Sequence, residues 1–385
     1  MKRFSGLIVF CFALSTGAMQ AAIILSNNAY HVYAGDNIQD ALQQAAENKS
    51  VKLVKVHAGE YRPNNKRQAL IWFNKIHDGI RLEAVGDVTL TAANQELAAP
   101  TEPGFPAVVN HVVYFGDGIS SNTVLKGFRI TGANNFVTRE STSAMEPAKS
   151  IAKNWFFYAD GGGIKIFGRS YPHIEQVEVA DNFSCPCGGG ISVQQQGFNQ
   201  EPVLIENCVF LKNRAQATGA AIDLLAGSSA VISNCLFAGN VSNTGEDVVA
   251  KQSGERPFVN SGVVTIFRNS RAVVCNCTFT GNRNGIDDMG GKSCYFNCLL
   301  LQNNLDTGLK GFARYELAVN AGGKVSGCFI SGTIHDVSHC ISAQDNVLDA
   351  PAPDFDKNFV PHAPGYQNAG YRPVSSSAAA GRQAN

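Results

Sequence analysis

The 385-residue chain carries no net charge: 31 lysines and arginines balance 31 aspartates and glutamates. A nucleic-acid binder needs a basic surface to displace counterions from phosphates, so nucleic acid is not expected as a partner. Charge of either sign is scarce at 16% of residues, while glycine numbers 38 and the apolar fraction is 44%. That mix excludes a disordered chain and suits a β-rich globular one. After the first residues no stretch approaches the apolar length needed to span a bilayer, so no transmembrane segment is expected. The CxxC and His pairings of a zinc site are missing, and the eight histidines are scattered.

What is present begins with "MKRFSGLIVFCFALSTGAMQAA". Lys2 and Arg3 form a charged start, Leu7 to Leu14 an apolar centre, and Ala18, Ala21 and Ala22 offer small residues for cleavage. This is the layout of a secretory signal over residues 1–22, and it predicts a secreted or periplasmic protein. Ten cysteines then remain in an oxidising compartment.

The chain repeats itself. "NCVF" at Asn207 recurs as "NCLF" at Asn234, "NCTF" at Asn276 and "NCLL" at Asn297. With the Cys as anchor, Phe128, Val177, Cys208, Cys235, Cys277, Cys298 and Cys328 are equivalent, and five residues after five of them stands an Asn: Asn182, Asn213, Asn240, Asn282 and Asn303. A second element lies upstream, "GGGIKI" at Gly161, "GGGISV" at Gly188 and "GAAIDL" at Gly219. Both have the period-2 apolar placement of strands, and helical periodicity is lacking between them. A unit of about 21 residues that cannot bury its inner face alone must stack, and stacked rungs lie roughly 4.8 Å apart. Cys and Phe are therefore expected to point inward, with the Asn at the following turn, where amides can bond to equivalents above and below.

These spacings resemble those of right-handed parallel β-helix proteins of the pectate-lyase-like superfamily. The pairing of "GG[GA]I" segments with F-x-x-N (Phe210 to Asn213, Phe237 to Asn240, Phe279 to Asn282) also resembles the repeats of polymorphic outer-membrane adhesins. The resemblance covers roughly residues 50 to 335. It implies an all-β, right-handed parallel β-helix, and it leaves activity open among lyases, hydrolases, epimerases, transferases and adhesins. A short capping helix is expected at "DNIQDALQQAAENKS", with Asp36 or Asn37 as cap and Ile38, Ala41, Leu42 and Ala45 on one face. One domain is expected over residues 23–373, with an inserted loop at 136–158, an extended tail at 336–373 and a disordered end at 374–385.

Chemistry is expected along an outward strand column bordered by loops. Twelve residues before the anchors come Lys165, Asp223, Thr265 and Glu316; Ser192 joins them once a four-residue insertion is removed, and Asp287 falls there within one residue. The column is expected to face solvent, with Asp287 and Glu316 on adjacent rungs and Asp223 about two rungs, roughly 9 to 10 Å, from Asp287. Asp223, Asp287 and Glu316 are thus the catalytic candidates, since glycoside hydrolysis needs one protonated and one ionised carboxyl group. A calcium site serving a lyase is a second use of the same oxygens, and no other cofactor is implied. Lys165, Lys310 and Arg314 are candidate substrate contacts, and Trp155 and Tyr158 are candidate sugar-stacking rings. Cys208, Cys235, Cys277, Cys298 and Cys328 read as a buried ladder of small hydrophobes, leaving Cys185, Cys187, Cys275, Cys294 and Cys340 as disulfide candidates.

The expectation is a monomeric secreted protein that acts on a polysaccharide, by hydrolysis or by β-elimination. The Gly-His-Gly and Arg-Ile-Lys signatures that accompany paired aspartates in polygalacturonase-type hydrolases are missing, as is any signature of calcium-dependent pectate lyases. The rival is therefore a non-catalytic, adhesin-like module that binds glycans along the same flank.

Overall fold

In the computed structural model, the residues described are 23–134, 160–225, 227–244, 261–303, 315–319, 322–332, 334–335, 341–342, 344–351, 353–362 and 365–374. Short strands stack into a parallel β-helix. Every pairing between named strands is parallel except that of Ile24–Ser26 with Ala29–Val32 at the N-terminal end. A nineteen-stranded sheet forms two columns, and a nine-stranded sheet forms the third side. One column of the large sheet runs through Val203–Glu206, Ser229–Ser233, Arg271–Cys275 and Cys294–Phe296. The other runs through Val209–Leu211, Leu236–Ala238, Thr278–Thr280 and Leu299–Leu301.

The corner between those columns explains the first Asn of each "NC" pair. Asn207, Asn234, Asn276 and Asn297 have φ of 57°, 48°, 54° and 52°. Asn tolerates this left-handed region better than most residues with a side chain. The following Cys then turns inward. Cys208, Cys235, Cys277, Cys298 and Cys328 are all fully buried, as expected. Their backbone and sulfur atoms link rung to rung, with Cys208 N donating to Cys235 Sγ and Cys235 N to Cys277 Sγ, both at 3.4 Å. Phe210, Phe237 and Phe279 stack in the same core, with centroids 4.8 and 4.4 Å apart and rings within 3° of parallel.

Asn182, Asn213, Asn240, Asn282 and Asn303 form the second ladder, fully or almost fully buried. The left-handed residue at this corner is the one before each of them: Asp181, Lys212, Gly239, Gly281 and Gln302. Each of the first four asparagines donates both its backbone N–H and its Nδ2 to the Oδ1 of the next. From Asn213 to Asn240 both bonds are 3.0 Å, and from Asn240 to Asn282 they are 2.8 and 3.0 Å. Each buried amide is thus satisfied by its neighbour, which an unstacked turn could not achieve.

The helix Ile38–Glu47 closes the N-terminal end. Asn37 is its cap, accepting from Gln39 N at 3.0 Å, and Ile38, Ala41, Leu42 and Ala45 are buried against the first rungs. Near the other terminus, Tyr371 packs on Val209, Leu236 and Ala238. Arg372 N donates to Asn234 Oδ1 at 2.7 Å, and Asn234 Nδ2 donates back to Arg372 O at 2.8 Å. Among the described residues no helix is long and apolar enough to cross a membrane.

Candidate functional site

The nine-stranded sheet carries the column that the sequence singled out. Its register runs Trp72, Tyr114, Lys165, Ser192, Asp223, Thr265, Asp287 and Ala318, one residue per rung. The alternate positions Ile191, Val193, Ile222, Leu224, Val264 and Ile266 line the core, so the column points outward.

Two expectations need correction. Glu316 is not in this column: Ala318 stands opposite Asp287, and Glu316 lies two residues earlier. Its carboxylate instead ends the asparagine ladder. Asn303 N donates to Glu316 Oε1 at 2.9 Å, and Asn303 Nδ2 donates to Oε2 at 2.6 Å. Counting from the anchor misplaced it because the turn lengths between strands differ from rung to rung. The second correction concerns exposure. Lys165, Ser192, Asp223 and Thr265 are wholly buried, and Asp287 is 1% exposed. Glycine-led turns fold back over Lys165, Ser192 and Asp223. Gly161, Gly188 and Gly219 have φ of 83°, 65° and 61°. A Cβ on Gly188 would come within 2.7 Å of Ser192 Cβ, and one on Gly219 within 2.5 Å of Asp223 Cβ. Only glycine permits that approach.

The residue before each of these glycines forms a facing column that the sequence reading missed: Asp160, Cys187 and Thr218. They stack because Gly161 N donates to Cys187 O and Gly188 N to Thr218 O, both at 3.1 Å. The signal was there in "DGGG", "CGGG" and "TGAA", a varied position fixed ahead of a constant glycine. On the first rung Lys165 Nζ donates to Asp160 Oδ1 at 2.6 Å and to Gln194 Oε1 at 2.9 Å. Lys165 is therefore a buried ion-pair member and not an exposed sugar contact. Burial pushes Asp160 up and Lys165 down, and each opposes the other's shift.

Higher up, the carboxyl groups are less well satisfied. Thr218 Oγ1 lies 3.3 Å from Asp223 Oδ1 and 3.1 Å from Cys187 Sγ. Asp223 Oδ2 and Asp287 Oδ2 are buried with no hydrogen-bond partner. Burial, then the charge of Asp160, holds Asp223 well above the usual carboxylate range. Burial and the adjacent Asp288 carry Asp287 to about 7. Asp288 itself is tied down, accepting from Gly290 N at 2.8 Å, Gly291 N at 3.1 Å and Tyr295 Oη at 2.9 Å. Thr265 separates Asp223 from Asp287, so the two carboxyls stand two rungs apart, about 9–10 Å at the backbone.

Trp155, Tyr158, Lys310, Arg314 and Cys340 lie outside the described residues, as does the 1–22 segment. Cys187, Cys275 and Cys294 are unbridged, and Cys185 directs its Sγ to Gln216 Oε1. Cys275 and Cys294 sit on neighbouring strands but two residues out of register, with Val273 opposite Cys294 and Phe296 opposite Cys275. Among the described residues no cluster of three or more His, Cys, Asp or Glu could hold a metal ion.

Residues 112–254 match the family model described as a right handed beta helix region. With the parallel pairing above, the chain is a right-handed parallel β-helix protein. Neither the curated proteins nor the solved structures contain a significant match.

Proposed function

We propose that the protein is exported and cleaves the glycosidic bonds of a polysaccharide, with Asp223 and Asp287 as the acid–base pair. The observation that carries this reading is the pair itself: two outward-column carboxyls, buried, each with an oxygen lacking any hydrogen-bond partner. Perturbed carboxyls that are unsatisfied by their surroundings are more characteristic of working sites than of scaffolding. Asp223, held well above the usual carboxylate range by burial and Asp160, is the acid that donates to the departing sugar oxygen. Asp287, titrating at about 7, is half ionised near neutrality and activates water. The two-rung separation leaves room for that water and favours inversion at the anomeric carbon. Elimination needs a base to take the proton beside a uronate carboxyl, and the buried amine of Lys165 is committed to Asp160.

The rival reading, a glycan-binding module without catalysis, is favoured by the closure of the column, since both carboxyls are buried and substrate must open the Gly219 turn to reach Asp223. A polysaccharide panel separates the two. New reducing ends without the ultraviolet absorbance of an unsaturated uronate support hydrolysis, and that absorbance supports elimination. Binding without any product on every polymer supports the rival. If Asp223→Asn and Asp287→Asn cleave at the wild-type rate, this assignment of the pair is wrong.

A further inference from the structure

Far from the carboxyl pair, at the N-terminal end, two imidazoles are brought together by strand register. The strands Ala29–Val32 and Leu53–Tyr61 pair in parallel with His31 opposite Lys55. His57, two residues on from Lys55, shares that outer face, while Val32, Val54 and Val56 point into the core. His31 Nδ1 and His57 Nε2 lie 2.8 Å apart and share a hydrogen bond, which a metal ion would replace with loss of the proton between them, and the ring centroids are 5.1 Å apart at 24°. The ring of Tyr33 stacks on His57 at 4.3 Å and 8°, which fixes the imidazole plane.

We propose that His31 and His57 chelate one divalent transition-metal ion, with water completing its shell. Metal–imidazole bonds of about 2.0–2.1 Å at right angles place two nitrogens about 2.8–3.0 Å apart, whereas a tetrahedral pair would stand about 3.3–3.4 Å apart. The observed separation matches cis positions on an octahedral or tetragonal ion such as Ni(II) or Cu(II). Both rings come from paired strands and one is stacked, so little ordering is needed on binding. Lys55, opposite His31, is a cation close to the pair and sets a limit to affinity.

The site is independent of the proposed hydrolysis and is tested without it. Ni(II) is titrated calorimetrically into the purified wild type, His31→Ala, His57→Ala, His57→Gln and the double alanine variant, with circular dichroism melts as the control for folding. The expected result is one saturable site in the wild type, weakened by roughly 10-fold or more in each folded single variant, at least the loss that removing a ligand's supporting partner costs. Absence of saturable binding by the wild type, or equal affinity in the folded double variant, overturns the proposal.

Discussion

Glu316 offers the sharpest test, because a catalytic carboxylate and a ladder-ending one respond oppositely to the same substitution. Glu316→Ala removes the acceptors of two buried donors, the N–H and Nδ2 of Asn303. Each buried donor left unsatisfied costs about 1–3 kcal/mol, so the variant should lose about 2–6 kcal/mol. Glu316→Gln keeps one oxygen acceptor and turns an amide donor toward the other, so it should lose about half as much, near 1–3 kcal/mol. For a chain of this size each kcal/mol lowers the melting temperature by roughly 2 °C. Calorimetric melts should therefore rank wild type above Gln above Ala, with gaps of a few degrees. Glycan cleavage should persist in both folded variants. Melting at the wild-type temperature in both, or loss of cleavage in a Gln variant as stable as wild type, would refute the ladder-ending role.

Asp287 predicts a pH effect of stated sign. Its folded pKa of about 7 exceeds the ordinary 3.8, so its contribution to stability is full below about pH 4 and is lost as pH rises through about 7, by at most about 4 kcal/mol. His77 and His111, lowered by burial to about 4 and about 3, work the other way and favour the fold above pH 6.5. Denaturation of wild type against Asp287→Asn across pH 4–8 isolates the carboxyl, and parallel profiles would contradict its shift. Alkylation under native conditions followed by mass spectrometry should mark the part-exposed Cys275 and Cys294 and spare Cys187 and the five ladder thiols, all buried; equal labelling before and after denaturation would contradict the ladder. Phe237→Ala, which empties the middle of a three-ring stack, should cost about 3–5 kcal/mol in urea unfolding, and a loss under about 1 kcal/mol would mean the stack is not packed as described.

The fold was legible because its ladders are written as repeats. Inward Cys and Phe, and the Asn five residues after each Cys, recur at intervals set by stacking, and those intervals survive insertion elsewhere. The cap, narrowed to Asp36 or Asn37, and the buried face of the capping helix were legible for a similar local reason, and the structure selects Asn37. The outward column was only half legible. Its members Lys165, Ser192, Asp223 and Asp287 follow from strand alternation, but their burial depends on glycine turns folding back, and composition does not reveal how closely a turn approaches a strand. Glu316 was misplaced because counting from the anchor assumes equal turns, whereas hydrogen-bond register does not. The His31–His57 contact was not legible, since it joins residues from two rungs that share no repeat motif.

The asparagine ladder has a direction. Every amide sends its side-chain-to-side-chain bond one way, from Asn182 toward Asn303, while Nδ2 also donates back to a backbone carbonyl of the preceding rung; a carboxylate that only accepts can pass nothing on. Duplicating a rung anywhere among the five asparagines would keep donor facing acceptor, so the solenoid could lengthen there by copying a single coil. Past Glu316 the same copy would leave its first amide oxygen facing a carboxylate, with no donor to meet. The chain thus carries an end mark for this ladder, one amide-for-carboxylate exchange, although strands continue to stack beyond it.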